Sequence, residues 1–306
     1  MGSAGIGAST GLRGPLALLE AAFDAGIRHF DTAPLYGMGN AEHCLGEFLL
    51  RHKNEITITT KYGLKPPQIG MLKKLARNIA RPLLSSAPGL KKKLLKAAAS
   101  SNNEVEPVYT VEAAQASLEN SLRELKTERI HIWLLHEATA ASLHDEKLLR
   151  FMEDTVRQGK IGAFGVGGAS AKMTDIYATR RAHCPVMQCE WDLLEGEDRY
   201  AGTFKSRFQV FRYWPAKISE YLKVHPAIAQ EWSNEVGVDL LAPGNVSALT
   251  LRAALLSNPG GLIAFESRKV SNIARNAASA TDPSLSGPDA RFLALLRREE
   301  PRVSRQ

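Results

Sequence analysis

The sequence predicts an α/β protein of the (β/α)8 barrel class, and three observations carry this prediction. Short β-branched or aromatic runs alternate with longer stretches of helical period, which is typical of parallel strands joined by crossover helices. Eight such runs can be counted. A chain of 306 residues with 44% hydrophobic residues is long enough for one barrel with a sizeable core. We therefore expect residues 1–306 to form a single domain.

The elements follow from periodicity and from capping residues. Strands are predicted near residues 3–8, 28–31, 55–60, 129–135, 161–166, 185–189, 207–213 and 261–265. Helices are predicted at about residues 14–25, 41–52, 111–126, 145–158, 171–181, 217–235 with 246–257, and 270–279. The helix after Thr110 has the clearest signals, because Thr110 can cap it and apolar residues recur at three-to-four spacing. The polar region from Glu195 to Lys205 predicts no definite element.

A basic segment interrupts this alternation after the third strand. Residues 66–108 are too long for an ordinary connection, and no acidic residue lies between Glu55 and Glu104. We expect a basic helical insertion over the rim of the barrel, where it could form a lid. A solvated insertion is the favoured interpretation, and contact with an anionic surface is the alternative. The segment lacks the interleaved aromatic residues of a nucleic-acid surface.

Composition excludes several other classes of protein. No run of about 18 apolar residues is present, and no charged N-terminal segment precedes an apolar one, so we expect no membrane span, no secretory signal and a cytoplasmic location. The three cysteines, Cys44, Cys184 and Cys189, have no metal-ligand spacing. We therefore expect neither a disulfide framework nor a metal site.

Four polar residues follow apolar runs and form the candidate catalytic set. Asp31 ends one predicted strand and Tyr36 follows it by five residues, while Lys61 and His136 end two others. A barrel of parallel strands collects its catalytic groups at these C-terminal ends. The sequence therefore predicts that the four side chains meet.

This set can transfer a proton to or from a carbonyl compound. A free phenol has a pKa of about 10, and a nearby ammonium such as that of Lys61 would lower the pKa of Tyr36. Asp31 would keep Lys61 charged, and His136 would donate a hydrogen bond to the substrate oxygen. The set contains no source of electrons, so a cofactor must supply them.

The motifs resemble those of the aldo-keto reductase superfamily. Residues 26–46, Gly-Ile-Arg-His-Phe-Asp-Thr-Ala-Pro-Leu-Tyr-Gly-Met-Gly-Asn-Ala-Glu-His-Cys-Leu-Gly, are similar to its first signature. Thr60-Lys61-Tyr62-Gly63 resembles the catalytic-lysine segment, and Leu134-Leu135-His136 the catalytic-histidine segment. Asp-Thr-Ala-Pro-x-Tyr-Gly points to the sugar-dehydrogenase-like and aryl-alcohol-dehydrogenase-like branch. The resemblance implies a (β/α)8 barrel that transfers hydride between a nicotinamide cofactor and a carbonyl or alcohol, with Tyr36 as the general acid.

The same resemblance implies cofactor-binding residues. Gln188 matches the glutamine that holds the carboxamide, and Tyr213 the aromatic residue that stacks on the nicotinamide. Ser267, Arg268 and Asn276 match residues beside the adenosine end. They fall in the run Ser-Arg-Lys-Val-Ser-Asn-Ile-Ala-Arg-Asn.

The chain departs from the family pattern at several places. Gly167-Gly168 stands where the family often has Ser-Asn. Glu266 replaces a lysine typical of members that prefer the 2′-phosphate cofactor, which favours NAD slightly over NADP, although Arg268 and Lys269 act in the opposite sense. The N-terminal hairpin common in the family is not found before the first strand, and the C-terminal tail is expected to be short.

Two functional hypotheses follow. The first is a nicotinamide-dependent oxidoreductase acting on a small carbonyl compound, such as an aldehyde, a ketone or a sugar lactol. The second is a catalytically weak dinucleotide-binding barrel that serves as a regulatory or scaffolding subunit, with the basic segment as its docking surface. Substrate identity, reaction direction and oligomeric state are left open by the sequence.

Overall fold

A curled parallel sheet with helices packed on its outside forms the centre of the molecule. The computed structural model describes residues 1–7, 11–64, 107–193 and 199–304. The strands in these ranges are β1 His29–Asp31, β2 Thr57–Tyr62, β3 Ile130–His136, β4 Ile161–Gly167, β5 Val186–Glu190, β6 Phe204–Phe208 and β7 Leu262–Ile263. The helices are α1 Arg13–Asp24, α2 Ala41–His52, α3 Val111–Glu124, α4 Glu146–Arg157, α5 Ser170–Thr179, α6 Trp214–Val224, α7 Pro226–Val236, α8 Asn245–Leu256, α9 Val270–Thr281 and α10 Pro288–Ser304. The predicted α/β class with parallel strands is confirmed.

The N-terminal segment closes the sheet. Strands β1 to β7 pair in sequence order, and every pair is parallel. The amide of Gly2 donates to the carbonyl of Phe265 beyond β7, at 2.8 Å, and that of Ser3 donates to the carbonyl of Asp31 in β1, at 2.9 Å. Residues 1–3 thus lie between the first and last strands in the position of an eighth strand, which is consistent with a (β/α)8 barrel.

Two strand predictions were displaced. The first extended segment covers residues 1–3 instead of 3–8, because the chain turns immediately afterwards. The turn includes Gly7, which has a φ of 80°. Strand β6 covers Phe204–Phe208 instead of residues 207–213. Its end coincides with Gln209, whose φ of 62° is incompatible with an extended strand.

Most helix predictions are confirmed, and one was wrong. Thr110 caps α3 as expected, with its hydroxyl accepting from the amide of Ala113 at 3.2 Å. The helix predicted over 217–235 is divided into α6 and α7, because Pro226 lacks the N–H that a continuous helix needs and begins α7 instead. No helix was predicted beyond residue 279, whereas the C-terminal segment forms the 17-residue α10.

Helix α10 matters because it completes one of two apolar clusters. The cluster formed mainly by α6, α7, α8 and α10 includes Trp232, Leu249 and Phe292, the last of them from α10, and all three are buried. The other cluster lies under β1 to β5 and includes Phe30 and Trp133.

Two further sequence predictions concern the basic insertion and membrane-spanning segments. The basic insertion was predicted over residues 66–108, of which 66–106 lie outside the described residues. None of the helices that the structure describes is long and apolar enough to cross a membrane.

Candidate active site

Strand pairing places three of the four candidate residues at one end of the barrel. Asp31 ends β1 and is paired with Thr59, while Lys61 lies two residues further along β2 and is paired with Leu134. His136 ends β3. Side chains alternate between the two faces of a strand, so Asp31, Thr59 and Lys61 share the interior face. The backbone register therefore brings an acid and a base together inside the barrel.

Asp31 and Lys61 form a buried ion pair. The ammonium of Lys61 donates to Oδ1 of Asp31 at 2.5 Å and to the carbonyl of Thr32 at 3.0 Å. Only 2% of Lys61 and 6% of Asp31 is exposed. Burial opposes both charges, but their mutual attraction outweighs it: the pKa of Asp31 is lowered and the pKa of Lys61 is raised. Both groups are therefore charged at neutral pH.

Tyr36 is held above this pair by a tight turn. Its neighbour Gly37 has a φ of 58°, and a Cβ there would lie 1.8 Å from the carbonyl oxygen of Ile6, so the turn requires glycine. The ammonium of Lys61 lies 4.7 Å from the centre of the Tyr36 ring. Burial raises the pKa of the phenol, and Lys61 only partly counteracts it. The net direction is thus opposite to the one the sequence suggested, and the phenol keeps its proton at neutral pH.

His136 faces Tyr36 across the cavity as a neutral imidazole. The two rings lie edge to face, with centroids 5.9 Å apart. Burial, with Lys61 as the next cause, lowers the pKa of His136 to about 3. The hydroxyl of Tyr109 donates to the backbone carbonyl of His136 at 2.5 Å and fixes the end of β3. The imidazole can therefore donate one hydrogen bond without carrying charge.

These groups line a single cavity of about 470 Å³. Its walls also contain Gly167, Gly168, Gln188, Phe211, Arg212 and Glu266. All four candidate catalytic residues are thus brought to the same cavity. Among the residues that the structure describes, no cluster of three potential metal ligands exists.

The predicted cofactor residues are distributed less evenly. Gln188 lines the cavity, and its Nε2 donates to Oδ2 of Asp31 at 2.6 Å and to the hydroxyl of Ser206 at 3.2 Å. Tyr213 lies at the start of α6 with 48% of its surface exposed, outside the cavity lining. The phenylalanine residues that line the cavity are Phe208, Phe211 and Phe265.

The segment after β7 contributes Glu266 to the cavity. Its Oε1 accepts from the amide of Gly5 at 2.7 Å, which ties the loop after β7 to the N-terminal turn. Ser267 accepts from the amide of Lys269 at 3.1 Å, just before α9 begins. Arg268 and Asn276 lie outside the lining, the first exposed and the second half-buried on α9.

Sequence reasoning missed two residues with unusual backbone. Glu137 follows His136 and Gln209 follows Phe208, and each has a φ of 62° while lining the cavity. Left-handed φ is uncommon for residues other than glycine, and such outliers cluster at functional sites. The only sequence signal for either residue is its place directly after a strand.

The fold and the cavity define the class, which is an α/β barrel with titratable side chains gathered at the C-terminal ends of its strands. The aldo/keto reductase family model matches residues 12–205. The chain belongs to the aldo/keto reductase family. The same fold occurs in an aldo/keto reductase from Klebsiella pneumoniae solved with NADP and acetate, at 21% identity and a TM-score of 0.58 over 97% of this chain and 90% of that one.

Two curated relatives match over shorter stretches. Pyridoxal 4-dehydrogenase of Microbacterium luteolum is 53% identical over 47 residues, which are 15% of this chain and 14% of the relative. The 6-dehydroglucose reductase of Novosphingobium aromaticivorans is 28% identical over 158 residues, 49% of this chain and 40% of the relative. The chain therefore spans less than half the length of these relatives.

Proposed function

We propose that this chain is a nicotinamide-dependent oxidoreductase that transfers a hydride between the cofactor and a carbonyl or alcohol substrate, with Tyr36 as the general acid and base. The observation that carries the proposal is the contact between Tyr36 and Lys61, with the ammonium 4.7 Å from the ring centre and the neutral His136 ring opposite. A protonated phenol beside a fixed positive charge can release its proton to an oxygen that is gaining negative charge.

The residues of the chain divide this task between them. His136 donates a hydrogen bond to the substrate oxygen, and Tyr36 gives that oxygen its proton. Lys61 stabilises the phenolate that results, and Asp31 keeps Lys61 charged in its buried position. In the opposite direction the phenolate takes the proton from the alcohol. The bound cofactor supplies or accepts the hydride.

The chemistry of the lining supports a nicotinamide at this site. The Nε2 of Gln188 is used by Asp31 and Ser206, whereas its Oε1 has no partner in the described part of the chain and can accept from a carboxamide. Gly167 and Gly168 leave bare backbone in the cavity wall beside it, since Gly167 is paired with Gln188 on the neighbouring strand. Arg212 brings a positive charge to the rim, which suits phosphate oxygens.

We further propose a small aldehyde, ketone or sugar lactol as the substrate. The names of the two relatives, one acting on pyridoxal and the other on a dehydroglucose, support this class. The fold neighbour from Klebsiella binds NADP, and nothing in the comparisons supports the slight preference for NAD that Glu266 suggested. Glu266 would favour NAD, whereas Arg268 and Lys269 would favour NADP.

Substitution of Tyr36 by Phe tests the proposal. The variant should retain cofactor binding, measured by NADH and NADPH fluorescence titration, because the ring stays in place. Its kcat for reduction of an aldehyde panel should fall roughly 10²–10⁴-fold, the usual contribution of a general acid.

Tyr62→Phe is the matched control. It removes the same hydroxyl from the residue after Lys61, where the hydroxyl is buried without a partner among the described residues. This variant should keep wild-type rates. Wild-type turnover by Tyr36→Phe would contradict the assigned acid. Cofactor binding without turnover by the wild type over the whole panel would favour the regulatory-subunit hypothesis.

A further inference from the structure

The carboxylate of Glu137 occupies a position that the mechanism above does not use. In a regular strand, the residue after His136 would point to the opposite face. The left-handed φ of 62° at Glu137 breaks this alternation, so that consecutive residues both line the cavity. A conformation of this kind costs of the order of 1–3 kcal/mol and persists only where the surroundings impose it.

Two neighbours impose it here. The ammonium of Lys172, on α5, binds Oε2 of Glu137 at 2.9 Å. The amide of Glu137 donates to the carbonyl of Gly167 at 2.7 Å. Oε1 has no partner in the ranges that the structure describes and is free to accept a hydrogen bond from a ligand.

Gly168 provides the space for this carboxylate. A Cβ at residue 168 would lie 3.1 Å from both Cδ and Oε2 of Glu137 and 3.2 Å from its Cα. Residue 168 therefore has little room for a side chain beside Glu137, and a Cβ at this position would crowd the carboxylate. The double glycine after β4 and the left-handed Glu137 belong to one arrangement.

We propose that Glu137 is a specificity residue that accepts a hydrogen bond from a substrate hydroxyl near the reacting carbonyl. A carboxylate only accepts, so its ligand must be a donor. Glu137 directly follows His136, the proposed partner of the carbonyl oxygen, and lines the same cavity. This inference rests on the proposed function. Through this hydrogen bond Glu137 favours hydroxylated substrates such as sugars over plain aldehydes.

The test compares aldehydes that differ mainly in their hydroxyl groups. Glycolaldehyde is paired with propanal, and D-erythrose with butanal, and kcat/KM is measured for each. A hydrogen bond to a charged group is worth about tenfold to a hundredfold in such a ratio. In Glu137→Ala the ratio of hydroxylated to plain aldehyde should fall by about that factor, and in Glu137→Gln by less, because the amide oxygen still accepts.

Two further variants keep the carboxylate and disturb its position. Gly168→Ala crowds it and Lys172→Met removes its anchor, so both should lower the ratio by a smaller factor. Glu146→Gln is the matched control, since it breaks an ion pair of the same 2.9 Å length on exposed α4 and should leave the ratio at the wild-type value. The dissociation constant for NADPH, from fluorescence titration, is measured for every variant.

Three outcomes would overturn the inference. An unchanged ratio with weaker NADPH binding would assign Glu137 to the cofactor carboxamide. An unchanged ratio with equal losses on all aldehydes would assign it a structural role. If the wild type reduces none of the aldehydes, the proposed function fails and Glu137 loses its role with it, whereas the first two outcomes leave the proposed function intact.

Discussion

The strand ends and the rim loops present their polar groups in different ways. Asp31, Lys61 and His136 lie on paired strands, where parallel hydrogen bonding fixes the backbone on at least one side. The side chains of Asp31 and Lys61 are buried and joined by a short hydrogen bond, and the ring of His136 is half-buried against Tyr36. Tyr213 and Arg268 lie beyond the strands and are exposed. The groups proposed for chemistry are thus preorganised, whereas Tyr213 and Arg268, two of the residues expected around the cofactor, lie exposed outside the sheet.

This difference has an energetic basis. A charge inside the barrel is tolerated only because its partner is already in place, as Asp31 is for Lys61. A charge on the rim keeps its hydration and needs no partner. Disturbing the strand-end cluster should therefore cost folding stability as well as turnover, whereas changes at the rim should alter only binding.

The largest expected effect is the loss of the buried ion pair. In Lys61→Met, Asp31 keeps its position without its partner, and the free energy of unfolding at pH 7 should fall by about 3–5 kcal/mol. Urea denaturation followed by circular dichroism measures this change. Turnover should be lost in the same variant, because Tyr36 no longer has a charge beside it.

A second variant separates the lost partner from the lost volume. Asp31→Asn combined with Lys61→Met removes both charges and should recover much of the stability, although not the turnover. Arg150→Met breaks an exposed pair with Glu146 and should cost less than about 1 kcal/mol. A similarly small cost for Lys61→Met would mean that the strand ends hold their charges no more tightly than the outer surface.

The pH dependence of stability extends the comparison to His136. Its pKa of about 3 in the folded state lies below the usual value of about 6.5 in an unfolded chain. Between these values the unfolded chain binds a proton that the folded protein excludes, so stability decreases as the pH falls below about 6.5. One such group contributes a slope approaching about 1.4 kcal/mol per pH unit.

His136→Gln should remove this contribution. The slope of unfolding free energy against pH, from urea titrations between pH 4.5 and 6, should be shallower in the variant by about that amount. Between pH 7.5 and 8.5 the two slopes should coincide, which serves as the internal control. Identical slopes in the acid range would place His136 in contact with water in the folded protein.

The strand-end cluster could be predicted from the sequence because it depends on local signals. Short β-branched runs end at Asp31, Lys61 and His136, and parallel pairing then leaves little choice about where these side chains meet. The displaced elements lack such signals. Strand β6 ends just before the left-handed Gln209, and α10 contains Pro301 and several charged residues, which obscure its helical period.

The role of Glu137 was beyond sequence reasoning for a related reason. Its importance depends on a left-handed backbone angle and on the empty space beside Gly168, and neither leaves a periodic trace. The same holds for Phe211 and Tyr213, two residues apart, of which only Phe211 reaches the cavity. Motif spacing places a residue on an element, but loop conformation decides which side chain faces the ligand.

The smallest expected effect concerns cofactor choice at the rim. Glu266→Lys exchanges an exposed carboxylate for an ammonium and should shift the ratio of the NAD and NADP dissociation constants toward NADP by about tenfold, because a 2′-phosphate would be attracted instead of repelled. The carboxylate also accepts from the amide of Gly5. Losing that bond would weaken the binding of both cofactors alike, so the ratio isolates the effect of the charge.

Glu266→Gln keeps an accepting oxygen and should give an intermediate ratio. Since exposed charges are screened by salt, 0.5 M NaCl should reduce the shift in the ratio. If the ratio for Glu266→Lys stays at the wild-type value in low salt, Glu266 does not lie near the adenosine end of the cofactor.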